Sequence, residues 1–165
     1  MKTSFRTILL VSLSLTLLGS EHAMAQTITD DAHRALVSAL EDERHAEAVY
    51  GAVIARFGDV RPFSNIIEAE RRHQDQLVAL FHAYSLPVPI NGYQSGAIPG
   101  PIAPSTLNAA CEMAVNAEIA NRDLYDRTLL PAVISYPDIT AVMTRLRDAS
   151  EQNHLPAFRR CGGRR

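Results

Sequence analysis

Between Leu86 and Ser105 the chain carries Pro87, Pro89, Gly92, Gly96, Pro99, Gly100, Pro101 and Pro104. Proline removes a backbone N–H and clashes with the preceding turn, and glycine loses the most conformational freedom on ordering, so no helix passes through this stretch. On both sides of it, apolar residues recur at spacings of three and four, the pattern of helices buried along one face. The chain therefore divides into two helical halves, joined by an irregular segment long enough to cross from one end of a bundle to the other.

Each half reads as a helical hairpin. A first helix is predicted from Thr29, an N-cap followed by Asp30 and Asp31, to Phe57, with Gly58 as the stop. Its inward stripe is Leu36, Leu40, Glu43, Glu47, Tyr50, Ile54 and Phe57. A second begins near Arg61-Pro62, with proline in the first turn, and carries Phe63, Ile66, Glu70, His73, Leu77, Leu80 and Tyr84 on its stripe. The third runs from about Ser105 or Thr106 to Leu130 and is ended by Pro131. Its stripe is Leu107, Cys111, Ala114, Glu118, Asn121, Tyr125 and Thr128. The fourth starts near Asp138, and its stripe of Ile139, Met143, Leu146 and Ser150 drifts relative to the line through Glu151 and His154. Pro156 should clash with the Gln152 carbonyl, so a kink just past His154 is expected, one that could open a coordination position. Connections of short, long and short length predict an all-α four-helix bundle, two antiparallel hairpins joined by a long crossover.

The first residues are read separately. Lys2 and Arg6 precede an apolar run from Ile8 to Leu18, and Ala23-Met24-Ala25 follows. A charged start, an apolar core too short to span a bilayer and a small-x-small site predict a signal peptide over residues 1–25. Residues 26–165 then form one exported domain, periplasmic or secreted. Taking Lys2, Arg6 and Glu21 from 16 basic and 18 acidic residues leaves 14 and 17, a net charge near −3. With Arg164-Arg165 as its one basic cluster, the chain is a poor candidate for nucleic-acid binding, and no later segment is apolar enough to hold it in a membrane.

The polar residues on the apolar stripes form a doubled pattern. Glu43 is followed seven residues on by Tyr50, and then comes Glu70-x-x-His73. Glu118 is followed seven residues on by Tyr125, and then comes Glu151-x-x-His154. Residues three apart share a helix face, so each hairpin offers one glutamate from its first helix and a Glu-x-x-His pair from its second. Four buried carboxylates would repel one another and resist ionisation. Two divalent cations relieve that, with four carboxylates and two neutral imidazoles as six ligands, a donor set suited to iron or manganese. His33, His45 and His82 lie off the pattern and are read as surface residues.

At these positions the chain resembles the ferritin-like superfamily, which includes ferritins, bacterioferritins and rubrerythrins. It looks most like the short ferritin-like domains of unknown function, through Ala46-Glu47-Ala48-Val49-Tyr50, Phe57-Gly58-Asp59-Val60-Arg61-Pro62-Phe63 and Asn153-His154-Leu155-Pro156-Ala157-Phe158. The likeness covers nearly all of residues 26–165 and implies a ferritin-like four-helix bundle. It also implies that Glu70 and Glu151 bridge two metal ions, that Glu43 and Glu118 are terminal ligands, and that His73 and His154 each hold one ion. Glu47 is an alternative to Glu43. Tyr50 and Tyr125 are expected either as donors behind the ligands or as redox-active phenols, with simple bundle filling as the other reading.

Cys111 lies seven residues before Glu118 and Cys161 seven after His154, which on antiparallel neighbours brings the sulfurs to one height. In an exported chain that predicts a disulfide, two free thiols being the alternative. The expected cofactor is a pair of metal ions, iron first, manganese or zinc next, and the expected partners are O₂ or H₂O₂. Ferroxidase or peroxidase chemistry is one functional class. A metal-binding or stress-associated structural module without turnover is the other. No Cys-x-x-Cys pair supplies a rubredoxin-type electron donor, no fifth helix is predicted for a storage cage, and a homo-oligomer is left open.

Overall fold

A computed structural model describes residues 27–161. Among them there are no strands, and four helices account for the regular structure. Helix α1 (Asp30–Phe57) starts as expected, with the Thr29 hydroxyl accepting from the Ala32 N–H, and stops at Gly58, whose φ of +83° is open to glycine. Helix α2 (Phe63–Ala83) follows after a turn. After the long irregular segment, α3 (107–133) opens on Thr106, whose hydroxyl caps the Ala109 N–H. Helix α4 (137–161) begins on Pro137.

Two of these helices depart from the expected course in the same way. Pro131 does not end α3: the helix runs Leu107–Leu124, widens to a π-turn at Tyr125–Leu129 and continues as Leu130–Val133. Pro156 does not break α4 either. A π-turn at Ser150–His154 separates Pro137–Ala149 from Leu155–Cys161. In each case the leucine just before the proline makes the wide bond, Leu130 N–H to the Tyr125 carbonyl and Leu155 N–H to the Ser150 carbonyl. A regular turn would drive the proline ring into the carbonyl four residues back, and widening the turn by one residue accommodates it. The distortion expected from Pro156 takes the form of a π-turn over Ser150–His154.

The buried residues form two apolar cores with a polar layer between them. One core gathers Leu36 and Leu40 of α1, Leu77 and Phe81 of α2, Tyr125 and Leu129 of α3, and Ile139, Met143 and Leu146 of α4. The other gathers Tyr50 and Val53, Phe63 and Ile67, Cys111 and Ala114, and Phe158. On every helix the intervening inward positions are polar and buried: Glu43, Glu70 and His73, Glu118, Ser150 and His154. The arrangement is compatible with a four-helix bundle. The expected Cys111–Cys161 disulfide is present, joining α3 to the end of α4 with the Cα atoms 5.8 Å apart. No described helix is long and apolar enough to cross a membrane, and the predicted signal peptide lies outside the described residues.

Candidate metal centre

The polar layer is a compact set of three carboxylates and two imidazoles. His73 Nδ1 lies 3.0 Å from Glu43 Oε2 and 3.1 Å from Glu70 Oε2. His154 Nδ1 lies 3.2 Å from Glu70 Oε1 and 3.5 Å from Glu118 Oε2. Glu70 thus turns one oxygen to each histidine, and the two rings stack with centroids 5.7 Å apart. Glu43, Glu70 and His73 form one potential cation site, and Glu70, Glu118 and His154 form a second.

The far oxygens of the two outer carboxylates are held from the opposite hairpin. The Tyr50 hydroxyl donates to Glu118 Oε1 at 2.6 Å, and the Tyr125 hydroxyl donates to Glu43 Oε1 at 2.7 Å. Every oxygen of the three glutamates therefore faces either a tyrosine hydroxyl or an imidazole nitrogen. Burial, reinforced by the carboxylate each one faces, pushes both phenols well above their usual pKa. They stay protonated and act as donors.

Without a cation the cluster must balance its own charge. Burial raises Glu43 to about 8, with the negative Glu70 nearby adding to the effect. Burial also opposes ionisation of Glu70, but the His154 and His73 imidazoles outweigh it and hold that carboxyl at about 2. Burial disfavours both imidazolium ions, yet the facing carboxylates win and lift His73 to about 9 and His154 to about 10. The burial and pairing thus favour the protonated forms of the two imidazoles and the ionised form of Glu70.

The donor set fits divalent cations. Two ligands each about 2.1 Å from one ion and at right angles stand about 3.0 Å apart, close to the separations found here. His154 Nδ1 is buried and hydrogen-bonded to nothing, although two carboxylates lie beside it. A cation between those groups would take the place of the proton that the two carboxylates otherwise favour on this imidazole. Oxygen and imidazole donors without thiolate suit iron, manganese or zinc.

Of the residues singled out by sequence, Glu43, Glu70, His73, Glu118 and His154 come together, and Tyr50 and Tyr125 stand directly behind them. Glu151 is outside both triads. Its side chain is 41% exposed and accepts from Arg147 Nη1 at 3.0 Å. The π-turn is the physical reason. With roughly 4.4 residues per turn, positions four apart align and positions three apart do not, so Ser150 takes the inward place next to His154. The same substitution occurs at the α3 π-turn, where Leu129 is buried and Thr128 exposed. Glu47 is also outside, held by Arg71 at 2.8 Å and Gln74 at 2.8 Å. His45 and His82 are exposed, and His33 is half-buried with its ring edge-on to Phe81.

A cavity of about 120 Å³ opens beside the second triad, between α1 and α3. Tyr50, Glu70, Glu118 and Ser150 line it on the inside, and Asp42, His45, Ala117 and Asn121 complete it toward the surface. Sequence reading assigned no site role to Asp42, Asn121 or Ser150. Asn121 and Ser150 were legible only as polar members of apolar stripes, and Asp42 carried no periodic signal. No protein-family model, curated protein or solved structure matches this chain.

Proposed function

We propose that the chain is an exported, ferritin-like protein that holds two adjacent metal ions, most readily iron, and uses them to reduce O₂ or peroxide, in the manner of a ferroxidase or peroxidase. The observation that carries this reading is the single Glu70 carboxylate facing both His73 and His154, the arrangement a bridging ligand requires. Further support comes from α2 and α3, which both begin in the core containing Phe63 and Cys111. That placement supports a crossover along the bundle between them, the connection of the ferritin-like variant of the fold. The disulfide is compatible with an oxidising, exported location.

A bound ferrous pair would supply two electrons to a small oxidant. The chain's own contribution is to hold Glu43 and Glu118 in place through Tyr125 and Tyr50, to flank the layer with two apolar cores, and to leave the Ser150 side free of a fourth carboxylate. The displacement of Glu151 also favours a second reading, a module that retains zinc or manganese without turnover, because five donors remain where six were expected. Aerobic addition of ferrous iron to the metal-free protein separates the two. Rapid oxygen consumption with growing near-ultraviolet absorbance supports the oxidase. Tight zinc binding with no accelerated iron oxidation supports the module.

A further inference from the structure

The cavity between α1 and α3 has two differently built ends. Its inner end is bounded by Glu70 and Glu118, ligand candidates of the second triad. Its outer end carries His45 and Ala117, both exposed. Between them stand Asp42 of α1 and Asn121 of α3, joined by a 2.5 Å hydrogen bond from Asn121 Nδ2 to Asp42 Oδ2. That bond uses only the amide's donor side. Asn121 Oδ1 is buried and has no hydrogen-bond partner, which is uncommon for a carbonyl oxygen.

At about 120 Å³, the space is roomy enough for several waters. Asp42 and Asn121 set a carboxylate and an amide between the exposed rim and the buried triad, in a lining that is otherwise largely apolar, and such oxygen donors are of the kind hard divalent cations exchange for water. Resting on the metal-centre reading above, we infer that this cavity is the loading route for divalent cations, with Asp42 and Asn121 as the relay between solvent and the Glu70–Glu118–His154 triad. Ser150 matters to the route because its small side chain stands at the inner end where a glutamate would crowd the passage.

The test mixes metal-free protein with excess Co(II) in a stopped-flow instrument and follows the visible ligand-field absorbance. Asp42→Asn removes the charge while keeping the shape, and Ala117→Leu narrows the rim from a solvent-exposed position. Both are expected to load about tenfold or more slowly, the scale of electrostatic and access effects on association, and to reach the same final spectrum and stoichiometry. Glu47→Gln removes an equal charge from α1 away from the cavity and is expected to load at the unsubstituted rate. Unchanged rates in both cavity variants, equal slowing by Glu47→Gln, or a lower final stoichiometry in Asp42→Asn would overturn the route and leave the metal centre standing. No Co(II) spectrum in the unsubstituted protein would overturn both.

Discussion

Tyr50 of α1 donates its hydroxyl hydrogen to Glu118 of α3 at 2.6 Å, and both residues are buried. The relation is reciprocated by Tyr125 and Glu43, so each hairpin supplies the hydrogen bond that orients the other's carboxylate. The two halves are thereby locked in register through the polar layer, in addition to their apolar contacts.

Replacing Tyr50 or Tyr125 with phenylalanine should leave a buried carboxylate oxygen without its donor. Each substitution is expected to destabilise the metal-free protein by about 1–3 kcal/mol, the usual cost of a buried unsatisfied group. Urea unfolding measures this directly. Equal stability of the phenylalanine variants and the unsubstituted protein would show that these hydroxyls are incidental.

Ligand assignment separates residues that the sequence pattern had grouped. Glu43→Gln and Glu118→Gln should each weaken or abolish one of two Co(II) or Zn(II) sites, whereas Glu47→Gln and Glu151→Gln should keep both. Equilibrium dialysis with metal analysis gives the stoichiometry. A metal deficit in Glu151→Gln comparable to that in Glu118→Gln would mean that Glu151 swings inward on binding.

The metal-free and loaded proteins should respond oppositely to pH. His73 and His154 have folded pKa values raised to about 9 and 10. Their contribution to stability is complete below an unfolded value near 6.5 and is lost as pH rises through the folded values. Glu43, raised to about 8, likewise favours the folded state less as pH climbs from about 4.5 to 8. The metal-free melting temperature should therefore fall between pH 6 and 10. Cations compete with protons for these same groups, so metal affinity should rise over that interval, and loading at pH 7 should release protons detectable with an indicator dye. Glu70 acts at the other extreme. Its carboxylate, held at about 2, stabilises the fold above about 4.5 and loses that effect as pH falls toward 2.

The Cys111–Cys161 bond closes a loop with a sequence separation of 50. In the chain-entropy treatment such a link contributes roughly 4 kcal/mol. A Cys111→Ser, Cys161→Ser double variant should unfold at correspondingly lower denaturant yet retain its metal stoichiometry, since neither sulfur belongs to the triads.

Much of this architecture was legible in the sequence because it rests on local rules. Thr29 and Gly58 mark the ends of α1 through capping chemistry, and the proline-glycine segment after α2 excludes helix outright. Glu43, Glu70, His73, Glu118 and His154 could be read because each lies on an apolar stripe of regular helical period. Glu151 misled for the same reason. Its spacing to His154 implies a shared face only in an α-helix, and Pro156 changes the local period to that of a π-turn. The sequence did carry a warning: Ile139, Met143, Leu146 and Ser150 extend to His154 by a further step of four, which leaves Glu151 off the face. Pro131 offered the parallel signal in α3, where the buried position passes from Thr128 to Leu129. Asp42 and Asn121 were not legible as a pair, since their meeting depends on how α1 and α3 lie together.

The central claim is that one carboxylate, Glu70, serves two neighbouring cations. Anaerobic titration of metal-free protein with ferrous iron, followed by calorimetry, tests it most directly when the unsubstituted protein is compared with Glu70→Gln. Two ions per chain in the former, with both sites lost or severely weakened in the latter, is the predicted result. No bound iron in the unsubstituted protein, or two ions retained by a folded Glu70→Gln variant, would contradict it.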